Sequence, residues 1–348
     1  MTPVPPPVPS PRTAQTDYYD SLKEVKVSPL WRIPGTTDPE PDVPEVPYVW
    51  HFRDLEPLLH RADEAMTLGV DDADRRALNA FNPSRVFGTT HTLVAGYQLV
   101  RPGEIAPAHR HSPGAIRFML SGSGFTTVEG EPVLMEPGDL VLTPADTWHD
   151  HRHPGVEPMI WLDGLDVPFV KQMRANFYED HPGGGLQPLD KPEGYSVDRY
   201  GAGLTPVAAR PARPHSPIMN YRWETTYAAL CRLAESDADP YDGVKLEYTD
   251  PLTGGHVLPT LACYLTLLSR PTKRQRHVSS SVFCVAKGSG HSIVSGHRLD
   301  WEEKDFFALP AWSWYAHFPD PGTEAVLFEM SDLPLLEPFG LQKKEVEA

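Results

Sequence analysis

The stretch APAHRHSPGAIRFMLSGSG, residues 106–124, sets two histidines one residue apart, just ahead of an apolar run that ends in a glycine pair. Alternate residues of an extended strand project to the same side, so His109 and His111 face one space together. Alone, such a pair reads equally as polar packing on the rim of a sheet or as part of a metal site. The rest of the chain decides between the two.

Composition sets the outer limits. The 348 residues suit two domains, with 40% hydrophobic and 22% charged residues, as in a globular protein. A net charge of −16 argues against a nucleic-acid backbone or an anionic membrane surface as partner. An anionic substrate would need a few local arginines. Cys231, Cys263 and Cys284 lack close metal-type spacing and leave an odd thiol, which points to a reducing compartment. No run reaches the length of a membrane span. The start, MTPVPPPVPSPRTAQ, has neither a basic opening nor an apolar core, so the expected address is the cytoplasm.

Along the chain, residues 1–16 are proline-rich and read as an extended mobile tail. Residues 17–85 form a helical and extended segment. In it DLEPLLHRADEAM places Leu55, Leu58, Leu59, Ala62 and Met66 on one helical face, with Asp54 as candidate cap. Short β-type runs separated by Gly and Pro turns fill 86–170, and strand texture returns over 245–335. Between them, 171–244 reads as a linker with a helix carrying Met219, Trp223, Tyr227, Leu230 and Leu233. Residues 336–348 form a C-terminal tail. The fold class is all-β dominated, an antiparallel sandwich or barrel with flanking helices.

The two β regions repeat each other. An ungapped offset of 166 carries Gly122, Gly124 and Gly130 to Gly288, Gly290 and Gly296, and Asp139, Pro144 and Trp148 to Asp305, Pro310 and Trp314. It also carries His111 to His277 and His151 to His317. This is an internal duplication.

Spacings within the first copy resemble the cupin superfamily. Gly103, His109, His111 and Gly122 fit its first motif, with Ala115 in place of the usual glutamate. Gly138, Pro144 and His149 fit its second, with Asp146 and His153 replacing a glycine and an asparagine. The resemblance implies a bicupin of two jelly-roll barrels. His149 at the cupin position turns the opening pair into a metal site. Three imidazoles without a carboxylate suit a divalent first-row ion such as Fe(II) and do not exclude Zn(II), Mn(II) or Ni(II). They would take one face of an octahedral ion and leave the other open for a chelating substrate and O₂, as an oxygenase needs. In the second copy His109 becomes Gln275 and His149 becomes Tyr315, so one metal per chain is expected, in the N-terminal cupin. His277 and His317 then read as satisfied polar residues.

Wider context narrows the resemblance. APAHRHSPGAIRF, GDLVLTPADTWHDH, WLDGLDVPF, RRALNAFNP and AGYQLVRPGE are similar to the bicupin family of gentisate 1,2-dioxygenase, salicylate 1,2-dioxygenase and 1-hydroxy-2-naphthoate dioxygenase. It implies an Fe(II) enzyme that uses O₂ to cleave an aromatic ring between the carboxyl- and hydroxyl-bearing carbons, giving maleylpyruvate from gentisate. A homo-oligomer, a tetramer as in relatives, is implied as well. Arg117, in phase with the histidine pair if no bulge intervenes, would grip the ring carboxylate through two hydrogen bonds. His151 resembles the family's histidine behind the metal ligands, placed to accept the phenolic proton or to stabilise a superoxide-like species. Asp163 would orient such a group or a substrate hydroxyl, and Trp161 would line the cleft. Gln98, Arg75 and Arg76 are further candidate substrate contacts, and His153 reads as exposed. One departure is Val94, where relatives often carry an aromatic residue. A cupin isomerase or sugar-binding enzyme and a non-catalytic bicupin are the readings from other classes.

Overall fold

In a computed structural model the described residues are 11–66, 75–207, 214–236 and 238–347. Backbone contacts divide the chain at Pro44. In the N-terminal unit the proline-rich stretch gives way to a helix, Pro11–Glu24, so residues 11–16 are not an extended tail. Pro11 starts that helix, where its fixed φ suits the first turn and its missing N–H costs nothing. Residues 1–10 of the expected tail lie outside the described residues. A short 3₁₀ turn, Leu30–Arg32, follows, with the Arg32 guanidinium over the Tyr19 ring.

From Glu45 onward the chain forms two antiparallel β barrels, each made of a six-stranded and a five-stranded sheet. In the first barrel the six-stranded sheet runs in the order Asn220–Tyr221, Leu140–Thr143, Ala115–Ser121, Met159–Leu165, Val94–Val100, Arg76–Asn79. Its five-stranded sheet runs Tyr178–Asp180, Ile105–His111, His149–Arg152, Gly124–Val128, Glu131–Met135. The second barrel repeats both orders, with Tyr48–Trp50 as the edge strand of its six-stranded sheet.

The six-stranded sheets pack against each other. Tyr97, Ile116, Phe118 and Leu162 of the first and Leu265, Phe306, Phe328 and Met330 of the second lie in one buried cluster. At its centre the Phe118 and Phe328 rings stack with centroids 4.3 Å apart. The opposite face of the first sheet, with Met119, Val141 and Trp161, lines the first barrel together with Val128, Val133 and Met135. Both faces of this sheet are therefore dry, which is why AIRFML runs apolar without alternation except at Arg117.

The barrels exchange edge strands. Tyr48–Trp50, far ahead of the first barrel, pairs with Phe306–Leu309 of the second. Asn220–Tyr221, from the expected linker, pairs with Leu140–Thr143 of the first. A helix follows each exchanged strand, and each is capped by the turn it crosses. Asp305 accepts the Phe52 N–H at the start of helix Phe52–His60, and Asp139 accepts the Trp223 N–H at the start of helix Trp223–Ala234. Asp54 is thus not the cap. It lies inside the first turn, and the capping carboxylate comes from a residue 253 positions away. Leu59 is fully buried, whereas Leu58 is 47% exposed and off the expected apolar face. Met219 precedes the second helix and packs inside the first barrel. Gly138 turns at φ +88° beneath Trp223, and a Cβ there would lie 2.4 Å from the indole.

Sheet membership therefore departs from the expected segment boundaries. Strand Arg76–Asn79 joins the first barrel ahead of residue 86, Tyr178–Asp180 and Asn220–Tyr221 join it from 171–244, and Lys344–Val346 joins the second barrel from the C-terminal tail. Hydrogen bonding across the barrels set these limits, and no composition shift marks them. Among the described residues no helix is long and apolar enough to cross a membrane.

Truncating Phe118 to alanine should destabilise the protein by about 3–5 kcal/mol in equilibrium denaturation, because rigid sheets on both sides prevent collapse of the cavity. Phe118→Ala combined with Phe328→Ala should cost less than the sum of the two, by about 0.5–1.5 kcal/mol, the share of the stacked pair itself.

Candidate metal centre and active site

Strands Ile105–His111 and His149–Arg152 pair so that His109 lies directly opposite His149, with an irregularity between Ala106 and His109. The three nitrogens offered by His109, His111 and His149 lie within 4.8 Å of one another, and among the described residues no other cluster of at least three His, Cys, Asp or Glu residues is grouped this closely.

The tautomers suit ligation. Nδ1 of His109 lies 2.8 Å from the Pro107 carbonyl, Nδ1 of His111 2.7 Å from that of Pro113, and Nδ1 of His149 2.9 Å from that of Thr147. A carbonyl only accepts, so each Nδ1 carries the hydrogen and each Nε2 keeps its lone pair. Nε2 of His149 is buried and meets no hydrogen-bond partner. Burial, then the positive charge of Arg75, pushes His109 down to about 3, and burial pushes His111 down to about 4. Burial holds His149 and His151 well below the ordinary histidine value. All four are neutral near pH 7, the form in which imidazole binds a metal. These donors fit a divalent first-row ion held by three nitrogens.

Arg117 comes from the other sheet. Residues 112–114 turn the chain between strands Ile105–His111 and Ala115–Ser121, so Arg117 does not share a strand face with the histidine pair. It reaches the same interior because the inward faces of two sheets meet there. It is 3% exposed, and Nη1 donates to the Thr143 hydroxyl at 2.7 Å. Nε meets no hydrogen-bond partner, with Asp163 Oδ1 at 3.6 Å. Burial pushes Arg117 down to about 10, which leaves it charged at neutral pH. Burial also raises Asp163, against the pull of Arg117.

Asp163 lies directly opposite Arg117, and Trp161 opposite both Met119 and Gln98. The Trp161 indole donates to Asp163 Oδ1 at 2.7 Å, so that side chain is fixed beneath the carboxylate. Gln98 is buried and its amide nitrogen has no partner. His151, on the inward face beside His149, is also buried. Its Nδ1 meets the Thr126 hydroxyl at 2.8 Å, while Nε2 has no partner.

Two candidates separate. Arg75 lies at the histidines, with Nη1 2.9 Å from His109 Nε2 and Nη2 donating to the Tyr178 hydroxyl. For His109 to ligate a metal, this guanidinium has to give way. Arg76 is engaged elsewhere by the carboxylates of Asp63 and Glu104, since its neighbour's side of the strand is the one that faces the histidines. His153 is not exposed. It is 2% accessible, with Nε2 on the Glu157 carbonyl and Nδ1 accepting the Gly155 N–H.

Sequence reading missed Tyr178, Thr143 and Thr126. Tyr178 stacks on the His109 ring, centroids 5.4 Å apart, from a strand in the expected linker. Only the pairing of that strand with Ile105–His111 reveals it. Thr143, next to the motif proline Pro144, offered a weak signal.

In the second barrel the corresponding positions bond to one another. His277 Nδ1 meets the Ser279 carbonyl and Nε2 the Tyr315 hydroxyl at 3.2 Å, while the Gln275 amide donates to Tyr241 and Asp242. His317 meets Ser292.

Comparison with known proteins agrees with this geometry. Residues 96–165 match the family model described as Cupin domain. A 5-aminosalicylate 1,2-dioxygenase from Comamonas sp is 36% identical over 97% of this chain and 93% of its own length. Gentisate 1,2-dioxygenase 1 of Aquipseudomonas alcaligenes is 36% identical over 94% of this chain and 95% of its own. Among solved structures, salicylate 1,2-dioxygenase from Pseudaminobacter salicylatoxidans superposes with a TM-score of 0.87 at 32% identity, over 98% of this chain and 99% of that one. Its adduct with gentisate gives a TM-score of 0.88 at 33% identity, over 98% and 96%. Three neutral histidines converge beside a buried arginine, in a barrel fold shared along nearly the whole chain with these enzymes, and the protein belongs to the bicupin family of gentisate and salicylate 1,2-dioxygenases, ring-cleaving oxidoreductases.

Proposed function

We propose that this protein carries one Fe(II) per chain, on His109, His111 and His149 of the first barrel, and uses O₂ to cleave gentisate between its carboxyl- and hydroxyl-bearing carbons, giving maleylpyruvate. The same cleavage of salicylate, a substituted salicylate or 1-hydroxy-2-naphthoate is the alternative. The observation that carries this reading is Arg117, a buried and still charged guanidinium whose Nε has no hydrogen-bond partner and meets Asp163 only at 3.6 Å, set in the same barrel interior as three neutral imidazoles. The gentisate adduct of the salicylate relative supports an aromatic hydroxy acid as the ligand class.

When bound, iron supplies the redox chemistry that lets O₂ react with an aromatic ring. The chain's own residues do the rest. Arg117 binds the ring carboxylate through its free edge, while Thr143 and Asp163 hold the guanidinium in place. Arg75 adds positive charge at the histidines. The unpaired Nε2 of His151 receives the hydrogen of the ring hydroxyl, and the dry walls around Trp161 and Met119 exclude water. Val94, buried on strand Val94–Val100, leaves more room than the aromatic residue of relatives would, so the substrate panel should span one and two rings. We further infer a cytoplasmic homo-oligomer, a tetramer by resemblance. The three free thiols, two of them buried, fit a reducing compartment.

Oxygen consumption by Fe(II)-loaded protein with gentisate, then salicylate, then 1-hydroxy-2-naphthoate tests the activity. Uptake of one O₂ per ring with loss of aromatic absorbance is expected, and no uptake with any of the three removes this reading. Metal analysis should find one iron per chain. His149→Ala should lower metal affinity at least about 100-fold, whereas His277→Ala should leave the stoichiometry at one.

Arg117→Ala should keep fold and iron but lose about 2–4 kcal/mol of transition-state binding, on the order of 30- to 1,000-fold in kcat/KM for carboxylated substrates. Arg117→Lys should recover only part, because a point charge does not reproduce the planar fork. The loss should be smaller for a hydroquinone without the carboxyl group. Equal losses on both would place Arg117 in support of the sheet.

A further inference from the structure

His151 is held from one side. Its Nδ1 lies 2.8 Å from the hydroxyl of Thr126, the residue directly opposite on the neighbouring strand, and its Nε2 is buried without a partner. Which nitrogen carries the hydrogen depends on where Thr126 sends its own. The Thr126 hydroxyl lies 3.0 Å from the sulfur of Met135, and a thioether only accepts. With its hydrogen turned to sulfur, the oxygen presents a lone pair to the imidazole. Nδ1 must then bring the hydrogen, and Nε2 keeps the lone pair.

The duplication supplies a control within the chain. At the offset of 166, Thr126, Met135 and His151 become Ser292, Trp301 and His317. Ser292 Oγ lies 2.7 Å from His317 Nδ1, so the pair is preserved. The third partner is reversed, because the Trp301 indole donates to Ser292 Oγ at 2.9 Å. An indole N–H only donates, so the serine hydrogen is free to go to His317 Nδ1, which leaves Nε2 as the N–H. An acceptor at 135 and a donor at 301 polarise the same hydroxyl–imidazole pair in opposite directions. The barrel with the three converging imidazoles has the acceptor version.

We propose that Thr126, oriented by Met135, is a positioning residue for ring cleavage: it fixes His151 as the Nδ1–H tautomer, so that Nε2 faces the barrel interior as the hydrogen-bond acceptor for the substrate's ring hydroxyl. This rests on the reading that the first barrel takes a phenolic acid. Trp161 and Arg117 only donate, and Asp163 takes the Trp161 indole N–H on Oδ1, so His151 Nε2 is the unpartnered imidazole lone pair behind the ligands. A histidine in the opposite tautomer would point a donor at a hydroxyl whose own hydrogen then finds no acceptor.

The test uses full-length protein. In ¹⁵N-histidine-labelled, Zn(II)-substituted protein, the side-chain signal that disappears in His151→Gln should show a protonated Nδ1 and a bare Nε2. Thr126→Val, which keeps the β-branched shape and removes the hydroxyl, should shift that signal toward the other tautomer, and Thr126→Ser should retain it. In the Fe(II) enzyme, Thr126→Val should keep one metal per chain and lose on the order of 10-fold in kcat/KM for gentisate or salicylate, with Thr126→Ser within about threefold of the wild type. A wild-type signal with hydrogen on Nε2 overturns the proposal. So does a valine variant that leaves both signal and kcat/KM unchanged, or a serine variant as impaired as the valine one. If no aromatic acid is turned over but the signal behaves as described, the functional reading fails and the tautomer assignment stands.

Discussion

Phe118 lies flat on Phe328 between two six-stranded sheets, and because each sheet also walls a barrel, the central strands of both are buried on both faces. Strands buried on both sides have to be apolar throughout, since any charge there is desolvated at large cost unless something answers it. Arg117 and, directly opposite it, Asp163 are the ionisable groups that this sheet carries into the first barrel. Nη1 of Arg117 is tethered to Thr143 and Asp163 lies 3.6 Å from Nε without a hydrogen bond, so the packing that makes the fold stable also fixes one guanidinium in the barrel interior with its Nε hydrogen unused. At the same position the second copy has Phe283, which packs with its own barrel's core.

The exchanged edge strands tie the barrels into one unit. Tyr48–Trp50 completes the second barrel and Asn220–Tyr221 the first, and the carboxylates of Asp305 and Asp139 cap the helices that follow. Each barrel's edge is thereby covered by chain from the other repeat, which removes an exposed strand edge. The turn aspartates recur at the offset of 166 because each has the same capping task.

The two copies also show how little has to change for one barrel to present three converging imidazole nitrogens and the other to be self-satisfied. In the first, each of His109, His111 and His149 gives its Nδ1 hydrogen to a nearby backbone carbonyl, so the Nε2 lone pairs converge. In the second, the Tyr315 hydroxyl meets His277 and the Gln275 amide turns outward to Tyr241 and Asp242, so the same space is closed by hydrogen bonds. Loss of two imidazoles converts a donor cluster into a structural network.

Local sequence carried a large share of this. His-x-His spacing, His149 at the second motif and the 166-residue repeat point to the histidine cluster and the bicupin, because strand periodicity and turn glycines are properties of short segments. Arg117 was also legible as the lone charge in an apolar run, although its route to the site was not, since a turn at 112–114 moves it to another sheet. Tyr178 and Thr126 gave no signal, and Arg76 and His153 gave misleading ones. Each of these depends on which strands lie side by side and which face of a strand is dry, and the strands concerned join residues tens of positions apart. Sequence by itself determined which three histidines come together and the repeat they sit in. Tertiary structure decided which polar groups are answered by a partner, because that depends on burial and strand pairing that no single segment contains.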